Sequence, residues 1–182
     1  MSKFLRNKIK GRTPTELVFG EFESFVVGLV KGFPTLFGMC LRNVVYRILG
    51  MKIDGFCWIQ PGVTLVNLRR LTVGRNFGCN TGTYINAIGV IQMGDDVLIG
   101  SNVTISSGLH PIDGRDQSVF SRPVIPMRIS IGNDVWFGAG SSVMPGVAVA
   151  SGTVVGANAV VTKSTEPYAV VAGVPARTIK YR

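Results

Sequence analysis

Proton transfer near neutral pH is the chemistry this chain offers most directly, because it contains one histidine, His110. An unperturbed imidazole titrates at about 6.5, so it accepts a proton from a hydroxyl at physiological pH better than any other side chain. His110 stands in Gly108-Leu109-His110-Pro111, a corner sequence that cannot be a strand interior. Asp113 and Asp116 follow and could orient the ring, with Asp113 the favoured one. One histidine cannot supply the three of a His-ligated zinc site unless symmetry converged several copies, so no metal is expected. Cys40, Cys57 and Cys79 show no CxxC spacing and cannot all pair. That pattern predicts a reducing cytosol.

A chain of 182 residues with 46% hydrophobic and 16% charged residues can bury one sizeable core and is too apolar for a disordered chain. The formal charge is +9, and it is unevenly spread. Residues 1–52 carry nine Lys/Arg against three Glu, whereas residues 53–182 carry ten against seven acids. Without a nucleic-acid motif, this basicity points to acidic substrates or anionic lipid and away from nucleic acid. No signal peptide is discernible, and Lys31 and Arg42 interrupt the longest apolar stretches, so no transmembrane segment is expected.

Residues 1–52 read as a helical, basic extension. Thr13-Pro14-Thr15-Glu16 forms a capping box, which predicts a helix over 14–31. Gly32-Phe33-Pro34 breaks it, Pro34 opens a second helix, and Gly50 closes that one in a left-handed turn. Val18, Phe22, Phe25, Val26 and Leu29 give the first helix a broad apolar face, and Leu36, Phe37, Cys40, Val44 and Ile48 do so for the second. Two covers suit such faces. One is packing on the main domain or a sister subunit; the other is peripheral membrane docking aided by Lys3, Arg6, Lys8, Lys10 and Arg12.

Residues 53–182 carry a six-residue repeat. Its aliphatic positions run Ile53, Ile59, Leu65; Val73, Cys79, Ile85; Met93, Ile99, Ile105; Ile131, Phe137, Val143; and Val149, Val155, Val161. Four residues beyond most of them sits a small or β-branched residue such as Val63, Thr83, Val97, Ser141 or Ala159. Two inward positions per hexad suit short β-segments joined by tight turns, and three segments per coil make a triangular parallel β-helix of about five coils. Leu71-Thr72 and Ile91-Gln92 read as two-residue inserts between coils. In the third coil the insert grows to a long loop, 111–130, ending in Ile129-Ser130 in phase with the short inserts. Long loops in compact repeats usually carry function.

The hexads, the loop after Ser106-Ser107-Gly108-Leu109-His110-Pro111, and the endings Val161-Thr162-Lys163 and Ala172-Gly173-Val174-Pro175-Ala176-Arg177 resemble the hexapeptide-repeat acyltransferases. In layout the chain is most similar to the small O-acetyltransferases of galactosides, maltose and surface polysaccharides. The resemblance implies a left-handed coil, a homotrimer, and transfer of acetyl from acetyl-CoA to a hydroxyl, with an amine or xenobiotic acceptor as the alternative. It makes His110 the general base and Asn80 an acceptor-binding residue, with Asp113 beside them. It places Trp136 against the thioester and pantetheine arm, Ala139 and Ala157 along the pantetheine, and Thr162, Lys163, Arg177 and Lys180 near the nucleotide end of CoA.

One departure stands out. The sugar-acetylating relatives carry acidic residues where this chain has Ala87-Ile88, which argues against a free galactoside or maltoside as acceptor. A cytoplasmic enzyme, associated at most peripherally with the inner membrane face and acting on a sugar or polysaccharide precursor, is the resulting expectation. A non-catalytic β-helix scaffold is its rival.

Overall fold

The computed structural model describes residues 13–182. Lys3, Arg6, Lys8, Lys10 and Arg12 lie outside the described residues. Two helices, α1 (Pro14–Val30) and α2 (Thr35–Ile48), precede a solenoid of parallel strands. The solenoid has three faces. The first stacks Lys52–Ile53, Leu71–Val73, Ile91–Met93, Ile129–Ile131 and Ala148–Val149. The second stacks Trp58–Ile59, Gly78–Cys79, Leu98–Ile99, Trp136–Phe137, Val154–Val155 and Ala169–Ala172, then closes with the antiparallel strand Arg177–Tyr181. The third stacks Thr64–Val66, Tyr84–Asn86, Thr104–Ser106, Ser142–Val143 and Val160–Val161.

Burial follows the hexads. Ile59, Leu65, Val73, Cys79, Ile85, Ile99, Ile105, Phe137, Val155 and Val161 are all buried, as are the second-position residues Cys57, Val63, Thr83, Val97, Val103, Val135, Ser141 and Ala159. The corners between second and third faces reverse through Gly82 (φ +79°), Asn102 (φ +58°), Gly140 (φ +71°) and Asn158 (φ +57°), a left-handed conformation in which a β-branched side chain would be strained.

The two-residue inserts belong to the strands of the first face. Leu71, Ile91 and Ile129 are each buried and lengthen the strands of the first face to three residues, with Leu71 paired to Ile91 and Ile129 to Ile91. Extra residues that bring an aliphatic side chain are drawn inward, because burial of one such side chain is worth about 1.5–3 kcal/mol. The long excursion therefore ends at Arg128, and Ile129-Ser130 is already strand.

The helices correct the sequence reading more deeply. The capping box forms, Thr13 accepting from Glu16 N and Glu16 from Thr13 N, and Gly50 closes α2 at φ +99°. Yet Val18, Phe22, Phe25 and Leu29 of α1, and Leu36, Phe37, Cys40, Val44 and Ile48 of α2, point away from the solenoid; of the predicted faces only Val26 is half-buried against the core. Packing on the main domain is thus not what covers them.

The inward faces are Glu23, Val27 and Val30 on α1 and Met39, Arg42, Asn43 and Tyr46 on α2. The reason lies in the first coil, whose outer edge presents backbone groups with no further coil to bond. Asn43 takes the place of a strand: its Oδ1 accepts from Cys57 N at 2.9 Å and its Nδ2 donates to Cys57 O at 2.7 Å. Arg42 donates to Ile59 O (3.0 Å), and to Val30 O (3.3 Å) and Phe33 O (2.7 Å) at the end of α1. Burial pulls its guanidinium below the ordinary value. Glu23 accepts from Asn67 N at 2.6 Å and Leu68 N at 3.2 Å; burial pushes its carboxyl up, and the two N–H groups pull it back.

Asn43→Ala leaves the buried Cys57 N–H and C=O unpaired, at about 1–3 kcal/mol for each group. Denaturant unfolding is expected to show that loss, and a variant within about 0.5 kcal/mol of the parent would refute this role for the side chain.

Candidate functional site

His110 sits where the chain leaves the third coil. Gly108–Leu109 pairs antiparallel with Ile125–Pro126, so the long loop departs and returns over a two-residue ladder with His110 at its open end. Beneath it, the buried Ser107 hydroxyl has one proton to share between the Asn86 and Gly89 carbonyls (both 3.0 Å) and accepts from Gly89 N at 2.9 Å, and Met127 N donates to Ser107 O at 2.7 Å. The loop base is fixed by these bonds while the imidazole is exposed.

Ala87 and Ile88 pack under this base. Ala87 is fully buried, and a Cβ on Gly108 would come within 2.5 Å of Ile88 Cγ2. A carboxylate at either position would have to be desolvated under the loop, which accounts physically for the apolar pair.

Neither predicted carboxylate bonds the His110 ring among the described residues. Asp116 pairs with Arg122 at 3.4 Å, and the Asp113 carbonyl accepts from the same guanidinium. Arg122, its side chain only 11% exposed, also donates to Gly114 O (3.1 Å) and Gln117 O (3.2 Å). It clamps the outer turn of the loop. The sequence reading missed it, along with Ser107; the signal was an arginine inside an otherwise uncharged return leg, 118–127.

The other predicted residues divide between two edges of the prism. Trp136, 51% exposed, points outward from the second face on the fourth coil, and the exposed Ala139 and Ala157 follow at the next corner on the fourth and fifth coils. Asn80 occupies that same corner on the second coil, its Nδ2 donating to Ile99 O at 3.1 Å. His110, Asp113, Thr162 and Lys163 belong to the opposite edge of the third face. Arg177 and Lys180 are exposed on the closing strand. One chain therefore does not bring His110 to Trp136, because a whole β-face lies between them.

The Ala139 and Ala157 N–H groups donate to nothing among the described residues, although Ala139 O accepts from Asn158 N. Two free backbone donors one coil apart beside an exposed indole form a cradle that fits an extended amide-bearing chain such as pantetheine.

Several alternatives fall away. Burial pushes the thiols of Cys57 and Cys79 up to about 12, so neither is a nucleophile at neutral pH. Among the described residues no three His, Cys, Asp or Glu converge as metal ligands. A concavity of about 420 Å3 lies between the first and second faces, lined by Gly55, Phe56, Arg75, Asn76, Asp95 and Asp96. It holds none of the predicted site residues; Arg75 and Asp95 bond at 2.6 Å, and that contact holds the Asp95 carboxyl below its ordinary range.

Residues 128–163 match the bacterial transferase hexapeptide family of six repeats. Galactoside O-acetyltransferase of Escherichia coli (strain K12) is 36% identical over 142 residues, covering 76% of this chain and 68% of that protein. The chain belongs to the hexapeptide-repeat acetyltransferases.

Membership makes it an acyltransferase. A galactoside acetyltransferase solved in complex with coenzyme A superposes at a TM-score of 0.85 with 26% identity, covering 100% of this chain and 91% of the other. A maltose O-acetyltransferase from Clostridium difficile 630 superposes at 0.80 with 26% identity, over 93% and 89% of the two chains. These neighbours are left-handed β-helices, and the coils described above wind the same way.

Arg122→Ala should loosen the loop without touching the solenoid. Trypsin is expected to cleave at the exposed Arg115 about tenfold faster or more, at an unchanged melting temperature, since loop opening and global unfolding are separate equilibria. Cleavage at the parent rate would show that the clamp does not hold.

Proposed function

We propose that this enzyme transfers acetyl from acetyl-CoA to a hydroxyl group of a sugar, in a glycan or polysaccharide precursor, with His110 as general base in a homotrimer. The observation that carries this reading is the height of the residues along the solenoid axis. His110 leaves the third coil, between Asn80 on the second and Trp136 with Ala139 on the fourth, but on a different edge. A threefold axis parallel to the solenoid would set the His110 edge of one copy against the Asn80 and Trp136 edge of the next, at matching heights.

In that cleft His110 takes the acceptor hydroxyl proton as the oxygen attacks the thioester carbonyl. The C–S bond then breaks, and the imidazolium returns the proton to the leaving sulfur. Asn80 offers to the acceptor its amide oxygen, which takes no hydrogen bond among the described residues. The free Ala139 and Ala157 N–H groups hold the pantetheine, and Trp136 covers the thioester. Thr162, Lys163, Arg177 and Lys180 serve the nucleotide phosphates, for which ammonium and guanidinium groups are suited. Asp113 acts at the acceptor end. The apolar Ala87-Ile88 base disfavours free galactoside or maltoside, so a larger glycan is the expected acceptor.

Thiol release from acetyl-CoA, measured over a panel of sugars, nucleotide-sugars, lipid-linked glycans and amines, tests the reaction. Preference for an amine would shift the acceptor class, and turnover with none would favour a scaffold. With an active acceptor, His110→Ala should lower turnover about 10²–10⁴-fold with CoA binding, melting temperature and oligomeric state retained. Near-parental turnover would remove His110 from the mechanism.

CoA affinity should weaken as salt rises, and also in Arg177→Ala and Lys180→Ala, because exposed charges are screened over about 8–10 Å. Titration calorimetry of both variants reads this out. Unchanged affinity in both would place the nucleotide elsewhere.

A further inference from the structure

We infer that the outer face of the α1–α2 pair is a docking surface for an anionic lipid bilayer. On α1, Val18, Phe22, Phe25 and Leu29 recur at intervals of four, three and four, one helical stripe, and Phe25 is 66% exposed. On α2, Phe37, Val44 and Ile48 form a second stripe, with Phe37 69% and Ile48 78% exposed. At 100° per residue the α1 stripe lies about 140° and the α2 stripe about 170° from the inward face of its own helix. Both are therefore directed outward by the polar contacts that bind the opposite faces to the first coil. Seven large apolar side chains exposed on two consecutive helices are the kind of surface that marks an interaction site.

Charge identifies the occupant. Residues 1–52 carry nine Lys/Arg against three Glu, and one of each, Arg42 and Glu23, is buried against the solenoid. The twelve residues leading into α1 contain Lys3, Arg6, Lys8, Lys10 and Arg12 and no acid. A second copy, itself of net charge +9, offers such a sequence no neutralising charge, whereas anionic headgroups do so while the acyl boundary takes up the phenylalanines. No helix among the described residues is long and apolar enough to cross a membrane, which leaves a helix pair lying in the interface plane. This inference is independent of the acetyl-transfer reading, since no residue of the His110 or Trp136 edges takes part.

The test is sedimentation of the full chain with phosphatidylcholine vesicles, plain or carrying about 30% phosphatidylglycerol, at about 0.02 and 0.5 M salt. The expected result is binding to the anionic vesicles, weakened at high salt. Phe25→Glu combined with Phe37→Glu should bind about tenfold or more weakly at unchanged melting temperature and oligomeric mass, because both side chains are already exposed. Three results would overturn the inference: no sedimentation of the parent, equal sedimentation of the double variant, or a double variant that loses its oligomeric state while the parent ignores vesicles. The last would assign the face to a second copy of the chain.

Discussion

Each coil of this molecule is held by the next through backbone hydrogen bonds parallel to the solenoid axis, and that repetition leaves unpaired peptide groups at both ends. The rest of the structure is arranged around this constraint. At the C-terminal end the chain turns back, and Arg177–Tyr181 pairs antiparallel with Ala169–Ala172, closing the edge with a strand of its own. At the other end no strand is available, and side chains from the helices substitute for one. Asn43 reproduces both bonds of a strand residue, Arg42 gathers carbonyls from the first coil and from the end of α1, and Glu23 takes the donors of the turn after the third face. An open edge would be a template for aggregation, and polar capping is the usual remedy in repeat proteins.

The same constraint decides which way the helices face. A helix normally buries its apolar stripe, because that is where burial contributes most. Here the surface to be covered is a row of peptide groups, each costing about 1–3 kcal/mol if left buried and unpaired. Glu23, Arg42 and Asn43 go inward together with Val27, Val30, Met39 and Tyr46, and the phenylalanines are left outside. The exterior acquires an apolar face as a by-product of closing the solenoid, and it is for this face that we propose a lipid surface.

The site is built on the repeat in a complementary way. Because successive coils stack in phase, residues distant in sequence fall on one edge at heights set by coil number. Asn80, Ala139 and Ala157 line one corner in this manner, and the loop that begins at His110 leaves from another. A triangular coil keeps these edges a face apart, so the catalysis we propose for His110 and the CoA site we propose at Trp136 and Ala139 need a second subunit to meet. The buried Ser107 hydroxyl ties down the base of the loop and Arg122 its outer turn.

The hexads, the inward positions and the loop with its single histidine were legible in the sequence because they are local and periodic: a buried position recurs every few residues whatever the chain does elsewhere. The capping box of α1 and the Gly50 turn after α2 were legible for the same reason. That the inserts extend the strands was not legible, since Leu71, Ile91 and Ile129 show themselves as core only once the coils are stacked and a third inward residue is seen to fit. The orientation of the helices was beyond the sequence altogether. Periodicity shows that Phe22, Phe25 and Phe37 share faces, but it says nothing about the unpaired carbonyl of Ile59 or the peptide of Cys57 that claim the opposite sides. Which face of an amphipathic helix is buried is decided by what it meets, and here tertiary structure supplied a polar edge where composition alone would have supplied a hydrophobic one.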